Sequence, residues 1–224
     1  MAHYRSYFTK QLLLLISTLT LAAGCTIPAP PPFSRPKIIE IQVTSPKLKQ
    51  LLATALEQTK VTHTYDPAYV AIAYPGGDVP SDRGVCTDVV IRAFRGIGID
   101  LQKEVHEDMA AHFAAYPPDW GLTGPDPNID HRRVPNLMTY LERQGKAIAL
   151  TQRKEDYLPG DIVTWDLGQG QQHIGLVTQF KSERTGQFMI VHNIGSGTQL
   201  EDVLLNWPVI GHYRYLREQP LKTS

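Results

Sequence analysis

One cysteine, two histidines and an asparagine fall in segments whose local patterns suit nucleophilic acyl chemistry. Cys86 sits in Gly84-Val85-Cys86-Thr87-Asp88, ahead of an apolar stripe of Val89, Val90, Ala93 and Phe94 that Gly96 closes. The stripe predicts a helix over residues 85–95, capped by Ser81 or Asp82, with the thiol in its first turn. There the helix dipole and free N–H groups favour a thiolate, so ionisation below the ordinary value of about 8.5 is expected. The same amides could stabilise an oxyanion. His173 opens the β-rich run His173-Ile174-Gly175-Leu176-Val177 and could take the thiol proton, then return it to a leaving amine. A third polar group would hold that imidazole, and Ile190-Val191-His192-Asn193 offers two. Alternation puts His192 on the face of Phe188 and Ile190 and Asn193 on that of Met189 and Val191; periodicity leaves both open.

The elements that must position these groups change character along the chain. Ser45-Pro46 and the stripe Leu48, Leu51, Leu52, Ala55 and Leu56 predict a first amphipathic helix. Others are predicted at residues 101–115, on Leu101, Val105, Met109 and Phe113, and at 135–144, closed by Gly145. Short β-rich runs follow at 161–165, 173–177, 188–192 and 210–215. Helices first and a β-meander second predict an α+β domain, with the helical half carrying the nucleophile and an antiparallel sheet carrying the base.

With those residues in place, the chain resembles the NlpC-like branch of the papain-like cysteine peptidases. There a helix-start cysteine is followed by a Pro-Gly-Asp strand (here Pro159-Gly160-Asp161), a His-x-Gly strand and a strand ending in a third polar residue. The resemblance implies a papain-like fold, Cys86 as nucleophile, His173 as base and His192 as orienting residue. It further implies cleavage of an amide bond, foremost in peptidoglycan stem peptides, with no cofactor. The chain is also similar to an uncharacterised exported bacterial family within that group, through Val85-Cys86-Thr87-Asp88-Val89-Val90-Ile91-Arg92, Val105-His106-Glu107-Asp108-Met109 and Asn128-Ile129-Asp130-His131-Arg132-Arg133-Val134-Pro135-Asn136-Leu137. It departs from the usual Asp-Cys-Ser-Gly motif in that a carboxylate, Asp88, follows the thiol. Tyr74, Asp88, Arg132, Arg133 and Asn193 complete the expected substrate-contacting set. An arginine of the 126–133 loop could grip a substrate carboxylate in a bidentate pair, or the loop is a solvated turn. Two rival functions share these residues: a wall-peptide or partner binding module without turnover, and acyl transfer by the Cys86–His173 pair.

Metal readings fare poorly. His106 and His112 are six apart and diverge around a helix. Asp126, Asn128 and Asp130 imitate the start of a calcium loop, but His131 and Leu137 replace its glycine and glutamate.

The N-terminus bounds the compartment. Residues 12–23 are uncharged, follow Arg5 and Lys10, and are too few to span a bilayer, which takes about 20 apolar residues. Ala22-Ala23-Gly24-Cys25 resembles a bacterial lipobox, with Cys25 as the lipidated residue. Residues 1–24 are therefore expected as a signal peptide and 25–36, with five prolines, as a tether. Residues 37–224 are the cysteine hydrolase domain, expected to be monomeric and joined to a membrane through lipid alone. Thr26 favours the outer membrane where the host has one. Loss of residues 1–24 leaves 20 Lys and Arg against 22 Asp and Glu, no footprint for nucleic acid. With only two cysteines there is no disulfide framework, and Cys86 is the thiol left free for reactivity or burial.

Overall fold

The computed structural model describes residues 37–216; the expected signal segment (1–24), Cys25 and the whole of the expected tether (25–36) lie outside them. In chain order the elements are β1 (Ile38–Glu40), α1 (Pro46–Val61), β2 (Thr64–Tyr65), β3 (Arg83–Gly84), α2 (Cys86–Arg95), α3 (Leu101–His112), α4 (Val134–Arg143), β4 (Ile162–Asp166), β5 (Gln172–Ser182), β6 (Phe188–Asn193), β7 (Thr198–Glu201) and β8 (Val209–Tyr213). The fold class is α+β. Five strands form an antiparallel sheet in the order β7-β6-β5-β4-β8, and β1 adds to the far end of β5. A short parallel pair, β2 with β3, delivers the chain to α2.

Strand alternation divides the core. Ile162, Ile174, Leu176 and Val191 face the helices and join Leu51, Phe94 and Leu137. Val163, Trp165, Val177, Phe188 and Ile190 face the other way and join Tyr157 and Leu204. Burial on both faces explains why β4 to β6 read as nearly unbroken apolar runs.

Ser45 caps α1 as its sequence signals, its hydroxyl accepting from Leu48 N at 3.3 Å. The start of α2 differs from expectation. Residues 83–84 pair with β2, so Ser81 and Asp82 are too far upstream to cap. Asp88 instead reaches back from the first turn and accepts from Val85 N at 2.7 Å. The helix predicted over 101–115 ends at His112, and a 3-10 turn, Phe113–Ala115, completes it. The Pro-Gly-Asp motif has a packing reason: a Cβ on Gly160 would lie 2.5 Å from Leu48 Cδ1 of α1. Asp161 is buried and binds His212 Nε2 and both Arg214 Nε and Nη2 at 2.7 Å, which fixes β4 to β8.

Candidate active site

Cys86 is the first residue of α2 and lines a cleft of about 410 Å³. Tyr65, Trp120, Arg133 and Gln172 form other parts of its wall. The residue is only 5% exposed. The close approach of Gly84 to α2 requires a glycine, because a Cβ there would meet the Asp88 carboxylate at 2.8 Å. Arg92 ties the preceding loop down, binding Asp78 and the carbonyls of Val79, Pro80 and Arg83.

Backbone N–H groups of Ile174, Thr87 and Cys86 act on the sulfur and favour its thiolate. Burial outweighs them, and the Asp88 charge adds to it, so the thiol is pushed up to about 12. This corrects the expectation of a low thiol pKa: the helix start is present, but the sulfur is buried. Ile174 adjoins His173 on β5, but strand alternation turns the His173 ring to the other face, and His173 is not among the residues that line the cleft. Among the described residues no direct hydrogen bond joins Cys86 to His173.

The two histidines lie on the sheet face turned away from the helices. His173 stacks on Trp165, its cross-strand partner, with ring centroids 5.7 Å apart. Its Nε2 meets His192 Nδ1 at 2.8 Å, and His192 Nε2 meets Glu201 Oε2 at 2.9 Å. The room for this contact comes from Gly175, where a Cβ would sit 3.2 Å from that of His192. A carboxylate only accepts, so His192 carries its proton on Nε2 and its Nδ1 is an acceptor. His173 then donates from Nε2, which leaves its Nδ1 with a free lone pair. Burial, and secondarily the neighbouring His192, pull His173 down to about 3. Burial also lowers His192, against an opposing pull from Glu201.

Asn193 points to the other face and donates to Gly84 O at 3.0 Å. It anchors the segment before Cys86, is fully buried, and is not among the residues that line the cleft. The expected roles of Asp88 and Arg132 also change. They form a buried ion pair, Arg132 Nε to Asp88 Oδ1 at 3.0 Å, and Arg132 further donates to the carbonyls of Ala68 and Asp66. Arg132 borders the cleft, but these bonds engage Nε, Nη2 and one Nη1 hydrogen, so no pair of donors is left to grip a substrate carboxylate in a bidentate pair. Tyr74 packs edge-on against His106, outside the residues that line the cleft.

Arg133 does line the cleft. Its guanidinium lies 4.0 Å from the Trp120 ring centroid, and both residues also border a second cavity of about 190 Å³. The loop that carries Arg132 and Arg133 is no solvated turn: Asp126 and Asn128 bond to Tyr69, Asn128 also accepts from Ile72 N, and His131 is buried.

Three contributors escaped the sequence reading. Glu201 lies on a short polar strand without a clear period. Trp120 lies in an irregular loop. Tyr65 follows from the β2–β3 pairing, and its phenol is pushed up to about 12, first by burial and then by the neighbouring Cys86 and Asp88.

The family described as "Domain of unknown function (DUF1287)" matches residues 52–215. "Uncharacterized protein YijF" of Escherichia coli (strain K12) is 48% identical over 206 residues, covering 92% of this chain and 98% of that protein. Among solved structures, a Staphylococcus aureus protein described as similar to lipoprotein, NLP/P60 family, aligns at 11% identity with a TM-score of 0.38. That alignment covers 80% of this chain but 44% of the other, so this chain spans less than half of that structure's length.

Proposed function

The chain belongs to the DUF1287 family, and for it we propose a thiol hydrolase of the NlpC-like, papain-like kind that cleaves an amide bond. One observation carries the reading: the line His173–His192–Glu201 leaves a free imidazole lone pair on the strand whose Ile174 N–H acts on the Cys86 sulfur.

The thiol and imidazole are both neutral at rest, so catalysis runs by general base rather than from a standing ion pair. As Cys86 Sγ attacks the amide carbon, its proton passes to His173 Nδ1 and the carbonyl oxygen takes the negative charge. Helix-start amides of α2, beside Cys86, are the donors assigned to such an oxyanion. Collapse breaks the C–N bond, His173 Nδ1 returns the proton to the leaving amine, and a thioester forms. Water, deprotonated by the same nitrogen, then releases the acid and restores the thiol.

The substrate class we assign is the peptide stem of peptidoglycan. It rests on the export signal at residues 1–24, the lipobox-like Cys25 and the resemblance carried by Cys86, His173 and His192. A chain anchored at Cys25 would reach the wall from the periplasmic side of a membrane. Arg133, which stacks on Trp120 in the cleft wall and lies 3.7 Å from Asp130, is the cation we assign to a stem carboxylate.

A second reading, a binding module without turnover, draws on the neutral and buried thiol. Incubation with purified peptidoglycan, with products resolved by mass, separates the two. Hydrolysis predicts new amine and carboxyl ends with the wild type and none with Cys86→Ala. Binding without products from either protein would overturn the enzymatic reading.

A further inference from the structure

Glu201 takes no part in the triad that sequence reasoning assembled, yet it terminates the hydrogen-bonded line. β6 and β7 pair antiparallel, with Ile190 opposite Glu201 and His192 opposite Gln199. Glu201 is thus the diagonal neighbour of His192 on the same face. Its side chain is 39% exposed, whereas His192 is fully buried. The line therefore runs from a closed interior to water. The titratable groups acting on His192 are His173 on β5 and Glu201 on β7, and Trp207 packs against both rings.

We propose that Glu201 is the counter-ion of the acid–base centre, so that the proton taken from the thiol leaves its positive charge on His192 rather than on His173. The proposal builds on the hydrolase reading and assigns a positioning and electrostatic role within it. The atoms balance in two transfers. The S–H bond of Cys86 breaks as N–H forms at His173 Nδ1. The N–H at His173 Nε2 breaks as N–H forms at His192 Nδ1. His173 ends neutral, with its proton moved from Nε2 to Nδ1, and His192 ends as an imidazolium whose Nε2–H faces a carboxylate at 2.9 Å. A charge placed on His173 would have a neutral imidazole and the rings of Trp165 and Trp207 beside it, and no carboxylate bonded to it among the described residues. On His192 it has an ion-pair partner, the geometry in which a charge-assisted hydrogen bond gains most. Reversal of the two transfers supplies the proton to the leaving amine.

The test uses ring ¹⁵N shifts of the histidine-labelled protein, which report protonation and tautomer without any substrate. In the wild type, His192 is expected to take the first proton on acidification, with both rings protonated on Nε2 at neutral pH. Glu201→Gln still offers an oxygen to His192, so the tautomers should persist, while the His192 midpoint falls by about one unit or more for loss of the carboxylate charge. Glu201→Ala should lose both and give mixed tautomers. First protonation at His173 in the wild type, or unchanged order and midpoints in Glu201→Gln, would overturn the proposal. If no variant turns over any substrate, the hydrolase reading fails separately, because the ring titrations stand without turnover.

Discussion

Asn193 donates its side-chain amide to the Gly84 carbonyl, 3.0 Å away, so the end of β6 holds the short strand that presents Cys86. The neighbouring residue, His192, points to the opposite face and meets His173. One strand thus holds both groups, one residue fixing where the thiol sits and the next fixing how the His173 ring is turned.

That division separates two alanine variants. Asn193→Ala removes one of two bonds to the Gly84 carbonyl, which keeps that from Asp66 N, and should cost about 0.5–1.5 kcal/mol of stability. Turnover would fall only as far as Gly84 and Cys86 shift. His192→Ala should cost turnover far more than folding, a loss that is large yet incomplete because nucleophile and oxyanion donors remain. His192→Gln, which still accepts from His173 Nε2, should recover part of it. Thermal melts beside steady-state rates make the comparison. Equal melting temperatures with a greater rate loss in Asn193→Ala would reverse the roles.

Cys86 should alkylate slowly at neutral pH. With the thiol pushed up to about 12 by burial, iodoacetamide modification should keep accelerating with pH well past 9. A rate that is already fast and level at pH 6 would mean that a standing thiolate exists. Activity, where the substrate itself drives deprotonation, should appear far below that range.

Two adjacent arginines should fail differently. Asp88→Ala strands the Arg132 charge in the interior, an uncompensated loss of roughly 3–5 kcal/mol, and the protein should unfold readily. Arg133→Gln removes a cleft-wall cation that faces buried Asp130 at 3.7 Å and stacks on Trp120, so it should raise KM at a smaller cost in melting temperature than Asp88→Ala. An Arg133→Gln protein with normal KM for acidic peptides would remove Arg133 from the binding site.

What was legible in the sequence follows from range. Cys86, His173 and His192 stand out because each lies within a periodic run that fixes its element and its face. Even the choice between His192 and Asn193 reduced to one unknown, which face met His173. The pairing of Asp88 with Arg132 spans 44 residues and leaves no local pattern. Glu201 belongs to a four-residue polar edge strand, Thr-Gln-Leu-Glu, whose register only the fold supplies. The thiol pKa was misjudged for a related reason: a helix start is visible in sequence, whereas desolvation depends on everything packed around it.

Buried histidines should also make the fold acid-sensitive well above the carboxylate range. Burial pulls both His131 and His173 down to about 3 from 6.5. A depressed folded-state pKa contributes stability that is whole above the unfolded value and drains away as pH falls below it. Each such group therefore costs about 1.4 kcal/mol per pH unit below 6.5. Asp130 works in the opposite sense: burial raises its carboxyl to about 6 from 3.8, so its contribution is full below 3.8 and is lost as pH rises through 6. Between pH 6 and 4 it offsets one histidine, and the other stays uncompensated, with His192 adding to it in the same direction. The melting temperature should therefore drop steadily from pH 6.5 to 4.5. Asp130→Asn should steepen the drop by removing the opposing term, and His131→Gln should flatten it. A melting temperature that holds or rises on acidification across that window would mean that His131 and His173 are charged in the folded protein.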